Sequence, residues 1–216
     1  MNRLTLSLAA LLALTVLLTA AEWVRERPIL HGADLRVFDA DAVARIETGM
    51  WRSYYERRPA RLFRQMITLL ESQYGMPPLW AVRNGYRAAH AAFVFKDGRR
   101  RSDYEKVLPD LERYYEDVSA LATHRFDARR AARLELEWWI VHREDPGRLP
   151  TSLADLQSEI YGTPAAIFDT HARLRAEAMQ WRDLKDKAIS EADWKRIGQL
   201  LRQSWIALHD ALPSPK

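Results

Sequence analysis

Between Asp39 and Leu212 apolar and aromatic side chains recur at steps of three and four residues, and no stretch alternates convincingly as a half-buried strand does. A chain with that rhythm folds as helices packed on helices. Val43, Ile46, Met50, Trp51 and Tyr54 form the first stripe, after Asp39 or Asp41 as cap and before Pro59. Leu62, Phe63, Met66, Leu70 and Tyr74 form the second, which Gly75 stops. Pro77-Pro78 opens a third with Leu79, Val82, Tyr86 and Phe93 in register, and its alanines admit a close neighbour. Ser102 and Glu105 have the spacing of a capping box for a helix through Leu108, Leu111, Tyr115 and Val118, bent or restarted at Pro109. Asp127 caps the stretch LELEWWIVHRE, Pro150 opens a short helix ending at Gly162, and Thr163-Pro164 opens a long one to about Lys187. Ser190 with Asp193 starts the last, which Pro213 ends. The expected class is all-α: an N-terminal hydrophobic helix followed by antiparallel helical hairpins, stacked as an array or gathered in an irregular bundle.

The N-terminus reads differently. One basic residue, Arg3, precedes an uncharged run from Leu4 to Ala21, and Trp23, Arg25 and Arg27 follow. That run is near the lower limit for crossing a bilayer, and its flanks suit either a membrane anchor or an export signal removed after Ala21. The expected organisation is residues 1–24 as signal or anchor, 25–38 as linker, 39–212 as the helical domain and 213–216 as tail. The domain is expected outside the cytoplasm, held at the membrane through residues 4–24, or secreted if residues 1–21 are removed.

At 216 residues and 48% hydrophobic content, the chain has enough apolar material for one domain beyond that segment. With no cysteine, disulfides, thiolate zinc sites and iron–sulfur clusters are excluded. A net charge of +4 and a pI near 9.4 raise the question of nucleic acid. Most basic residues are interleaved with acids at helical spacing, however, and Arg99-Arg100-Arg101 falls in a turn, as a solvated loop does. No nucleic acid is expected as a partner.

Three stretches share one plan, a helix, a polar turn and a second helix that opens on an aromatic residue or leucine. In AAHAAFVFKDGRRRSDYEKVLPDLERYY, Ala92, Phe95 and Gly98 close the first helix, while Asp103-Tyr104-Glu105 and Tyr114-Tyr115 mark the second. This stretch resembles a tetratricopeptide (TPR) hairpin, although the arginine insertion lengthens its turn and Pro109 stands where that motif has a helix former. Tyr104, Leu153 and Trp194 stand at equivalent places, 49 and 41 residues apart, against a TPR period of about 34. The resemblance implies stacked hairpins with an extended concave binding surface. The whole chain is also similar to uncharacterised bacterial proteins with an N-terminally anchored helical domain, which implies no activity.

Chemistry has few handles. Helical spacing puts Glu137 with Arg129, Arg130 and Arg133 on a wet face, and Glu135 with Ala131, Trp138, Trp139 and His142 on a packed one. Glu47, His90 and His171 likewise interrupt apolar stripes. Two explanations compete for these inward polar groups. Either acids pair with arginines or tyrosine hydroxyls between helices, because burying a lone ion is costly, or Glu47, Glu135, His142 and His171 ligate a metal or cofactor in a bundle. The Glu-x-x-His spacing of di-iron bundles is missing, as are His-Glu-x-x-His and Gly-x-Ser-x-Gly. No catalytic residue and no cofactor is expected. The favoured expectation is a non-enzymatic helical interaction protein, anchored or exported, with a protein partner in or at the membrane. Trp80, Tyr86, Tyr114 and the Arg99, Arg100, Arg101 loop are its expected contacts. A weaker third possibility is an amphiphile carrier with a tryptophan-lined cavity.

Overall fold

The computed structural model describes residues 32–213, and they form helices with no strand among the described residues. Eight helices of thirteen residues or more follow one another: α1 (Ala40–Tyr55), α2 (Pro59–Tyr74), α3 (Pro78–Asp97), α4 (Leu108–Leu121), α5 (Ala128–Glu144), α6 (Leu149–Tyr161), α7 (Asp169–Lys185) and α8 (Glu191–Ala211). The expected N-terminal hydrophobic helix lies outside the described residues, and no described helix is long and apolar enough to cross a membrane.

Local chemistry sets most boundaries. Asp39 accepts from the Ala42 amide, and Asp127 from the amides of Arg129 and Arg130, at the starts of α1 and α5. Ser190 and Asp193 form a reciprocal capping box on α8. Gly75 and Gly162 end α2 and α6 at φ of 60° and 62°, the left-handed conformation that a side chain disfavours. At the arginine turn the structure differs from expectation. Ser102 makes no cap, Arg101–Tyr104 forms a single turn, and α4 begins only at Leu108. Pro109 then sits in the first turn of α4, where its missing N–H costs no hydrogen bond, so it starts the helix rather than bending it.

Each helix packs on its predecessor and its successor, and α8 packs back on α1. Cross-links show the neighbours to be antiparallel: Arg83 meets Asp117 while His90 meets Asp110, and His171 meets Ser204 while Trp181 meets Asp193. The array is therefore a closed ring of alternating helices, and its first and last members bury each other's faces instead of ending a concave stack. One apolar cluster joins α2 to α6 through Leu70, Phe95, Leu111, Leu136 and Ile160. Another joins α1, α6, α7 and α8 through Val43, Leu153, Ala172, Trp205 and Leu208.

Residues 32–38 run across the end of the ring where α1 begins. The Ala33 amide donates to the Leu121 carbonyl (2.9 Å), the Thr123 amide donates to the Ala33 carbonyl (3.0 Å), and Leu35 and Phe38 are buried. The last part of the expected linker is thus packed against the helices. It ties the α4–α5 turn to α1 on the other side of the ring.

Candidate functional site

Two regions depart from the simple rule of apolar inside and polar outside. The first is the interior of the ring. On α5 the exposed Arg129, Arg130, Arg133 and Glu144 face away from the ring, so helical geometry points Glu135 at its middle. There Glu135 accepts from the Tyr115 hydroxyl and the Trp139 indole, each at 2.9 Å. Burial pushes its carboxyl above the ordinary range, although hydrogen bonds from Trp138 and Tyr115 and the Arg175 charge oppose the shift.

On α7 the same geometry turns Arg175 inward. Its two terminal nitrogens donate to the two carboxylate oxygens of Glu47 on α1, and the Trp205 indole donates to Glu47 at 2.6 Å. Burial disfavours ionised Glu47, but the Arg175 charge, its hydrogen bonds and that of Trp205 together outweigh it and hold the carboxyl below its usual value. One turn earlier His171, at 1% exposure, places Nδ1 2.9 Å from the Ser204 carbonyl. Nδ1 must carry the proton, which leaves Nε2 bare and without a partner. Burial, then the Arg175 charge, lowers the His171 pKa to about 4. Tyr74 and Tyr114 hydrogen-bond each other on the α2 and α4 side, and burial raises both hydroxyls.

The residues of the metal alternative do not come together. Glu47 is taken by Arg175, Glu135 by neutral donors, His142 by Asp183 at 2.8 Å and His171 by Ser204. Among the described residues no three His, Asp or Glu side chains stand where they could hold a metal ion. Arg175 is the functional group that sequence spacing missed. It lies four residues after His171 and three before the buried Ala178, so the same stripe that flagged the histidine contained it.

The second region is the outer face of α3. Leu79, Val82, Tyr86 and Phe93 are exposed by 41, 43, 63 and 44%, at spacings that align them on one side of the helix. Tyr86 stacks on His90 with the rings 10° apart. Below them Asp117 of α4 accepts from Arg83, Asn84 and Arg87 at 2.7 to 2.9 Å, so the polar groups of α3 are spent on its neighbour and the apolar ones are left outside.

The expected contact residues divide. Tyr86 and Arg99, Arg100 and Arg101 are exposed. Trp80, at 8% exposure, belongs to the core under Arg83, because it falls on the side of α3 opposite Tyr86. Tyr114 turns into the ring toward Tyr74. Neither Trp80 nor Tyr114 is a surface contact. Arg101 is pinned to Glu137 and Glu105 at 3.2 and 3.6 Å, on the rim of a groove of about 590 Å³ that Leu108, Arg130, Arg133 and Leu134 also line.

The ring defines the molecule as an all-helical protein with a polar centre. Against protein-family models, curated proteins and solved structures, the chain finds no match in any of the three comparisons.

Proposed function

We propose that the protein is a non-enzymatic helical interaction module, held at a membrane by its N-terminal apolar segment, whose docking surface is the outer face of α3. One observation carries this: Leu79, Val82, Tyr86 and Phe93 stand exposed in a single stripe. An apolar stripe of that length on a helix surface favours association with a complementary apolar partner. The hairpin layout that resembles TPR units agrees with a binding role, although closure of the ring moves the surface from a concave inside to a convex outside.

The occupant we assign is an apolar helix of a membrane-held partner protein. The described chain begins at Gly32, whose neighbour Ala33 is bonded beside Leu121 and Thr123, at the end of the ring that also holds the start of α3. Only ten residues lie between Ala21, the end of the uncharged run, and Gly32. Ten residues reach at most about 35 Å, which keeps the domain within that distance of the plane to which the apolar run would bind, and a shared plane raises the local concentration of a membrane partner.

The test is affinity purification of the full chain from detergent-solubilised membranes, wild type beside Val82→Glu and Tyr86→Glu. A stoichiometric companion that both variants lose, and that Arg202→Glu on α8 retains, supports the assignment. Isolation of the lone chain under gentle conditions, or a companion indifferent to the α3 variants, overturns it.

A further inference from the structure

We propose that the interior between α1, α2, α4, α5 and α7 is a binding chamber for a small organic cation, an amine or quaternary ammonium ion, with Glu135 as its counter-ion and Trp138 and Tyr114 as aromatic walls.

The first support is accessible surface in the wrong place. Met66 lies opposite the exposed Arg64, Thr68 and Glu71 on α2. Glu135 and Arg175 hold the matching inward positions on α5 and α7. A helix packed against a filled core buries such residues most deeply. Here all three are only half-buried, and the Arg175 side chain keeps 14% of its surface. The residues beside them are sealed: Leu62 and Leu70 on α2, Ala132 and Leu136 on α5, Ala172 and Ala176 on α7. Surface that is inward and yet accessible belongs to an internal space. Helix α8 supplies the contrast, since its inward Ile197, Leu201 and Leu208 are at 0% exposure.

The second support is charge. Two carboxylates and one guanidinium face the interior, and Arg175 gives both terminal nitrogens to Glu47. Glu135 receives only the neutral donors Tyr115, Trp138 and Trp139, so the chamber carries one acid without a contacting cation. A carboxylate accepts about four hydrogen bonds, which leaves Glu135 room for an ammonium group. His171, sealed beside the Glu47 pair, adds no positive charge, because burial keeps it neutral.

The third support is the wall. Tyr114 with Tyr115 and Trp138 with Trp139 meet edge to face, at 5.0 and 6.1 Å between centroids. In that arrangement one ring of each pair can turn a free face to the space beside Glu135. A cation over such faces is attracted by their negative quadrupoles, strongly so where water is excluded. An anionic amphiphile meets Glu135 instead and is repelled.

The proposal is independent of the α3 surface, and its test uses the full chain in nonionic detergent. Hexyltrimethylammonium and hexanoate, equal in chain length and opposite in charge, are each titrated by equilibrium dialysis, with tryptophan emission as a second readout. The cation is expected to bind at one site per chain, and hexanoate not to compete. Glu135→Gln weakens the cation by about tenfold or more, whereas Glu137→Gln on the outer face of the same helix leaves it unchanged. Met66→Trp, which fills the space without touching a charge, abolishes binding while the helical circular dichroism is kept. Equal binding of hexanoate, an affinity of Glu135→Gln within about twofold of wild type, or no binding of either ion overturns the chamber. Should Glu135→Gln fail to fold, Trp138→Leu decides by the same criterion.

Discussion

Helices α3 and α7 invert each other. Helix α3 leaves Leu79, Val82, Tyr86 and Phe93 outside and sends its arginines sideways to Asp117, whereas α7 puts Asp169, Arg173 and Glu177 outside and draws Arg175 and Arg182 in. The inward arginines are matched: Arg175 by Glu47, and Arg182 by the face of Tyr55 at 3.5 Å. The outward apolars of α3 are matched by nothing in the described residues. A charge inside is tolerated only when a partner is built for it, because an unpaired ion in a dry interior costs several kcal/mol. An apolar group outside costs little and waits for a partner. The two helices therefore do different work, α7 within the ring and α3 beyond it.

Four measurements test this contrast, the largest effect first. Arg175→Met leaves Glu47 buried with only Trp205, and is expected to destabilise the fold by about 3–5 kcal/mol in urea denaturation. The double variant Glu47→Gln with Arg175→Met recovers much of that loss. If the single variant unfolds at the wild-type midpoint, the pair is not what holds α7 to α1.

The second uses pH. The folded pKa of His171 is lowered to about 4 from an ordinary 6.5, so between those values the unfolded chain binds a proton that the folded chain refuses. Stability then falls as pH falls, by about 2 kcal/mol between pH 6.5 and 5 from this group alone. Protonation of Glu47, whose folded carboxyl is held low, removes more stability at still lower pH. His171→Gln should flatten the first part of the profile, and an unchanged slope would show that another group titrates there.

Third, Asp117→Ala strips Asn84, at 0% exposure, of a partner and frees Arg83 and Arg87. A loss of about 1–2 kcal/mol is expected in the same denaturation experiment. Smallest is the effect of Val82→Glu or Tyr86→Glu on the free chain, less than about 0.5 kcal/mol, because neither side chain supports the core. A larger loss would mean that the α3 stripe is structural and not a surface in waiting.

Helix positions and most helix ends were legible in the sequence, since their causes lie within one turn. The apolar period, the Asp127 cap, the Ser190–Asp193 box and the glycines at 75 and 162 each act on neighbouring residues. The box expected at Ser102 failed because Pro109, a few residues on, offered a better start. The candidate site was half legible: spacing turned Glu47, Glu135 and His171 inward with arginine or tyrosine as the expected kind of partner, but it also turned His90 inward, and His90 lies exposed beside Asp110.

Pairing between distant side chains was fixed by the packing of the helices. Glu47 and Arg175 are separated by 128 residues, and with arginines on seven of the eight helices no local pattern singles out one of them. Closure of α8 on α1 likewise depends on contacts between the two ends of the chain. Short-range hydrogen bonds and periodic burial made the amphipathic rods and their punctuation readable from local sequence. The ring, its polar centre and the outward turn of α3 came from long-range contacts that no window of sequence contains.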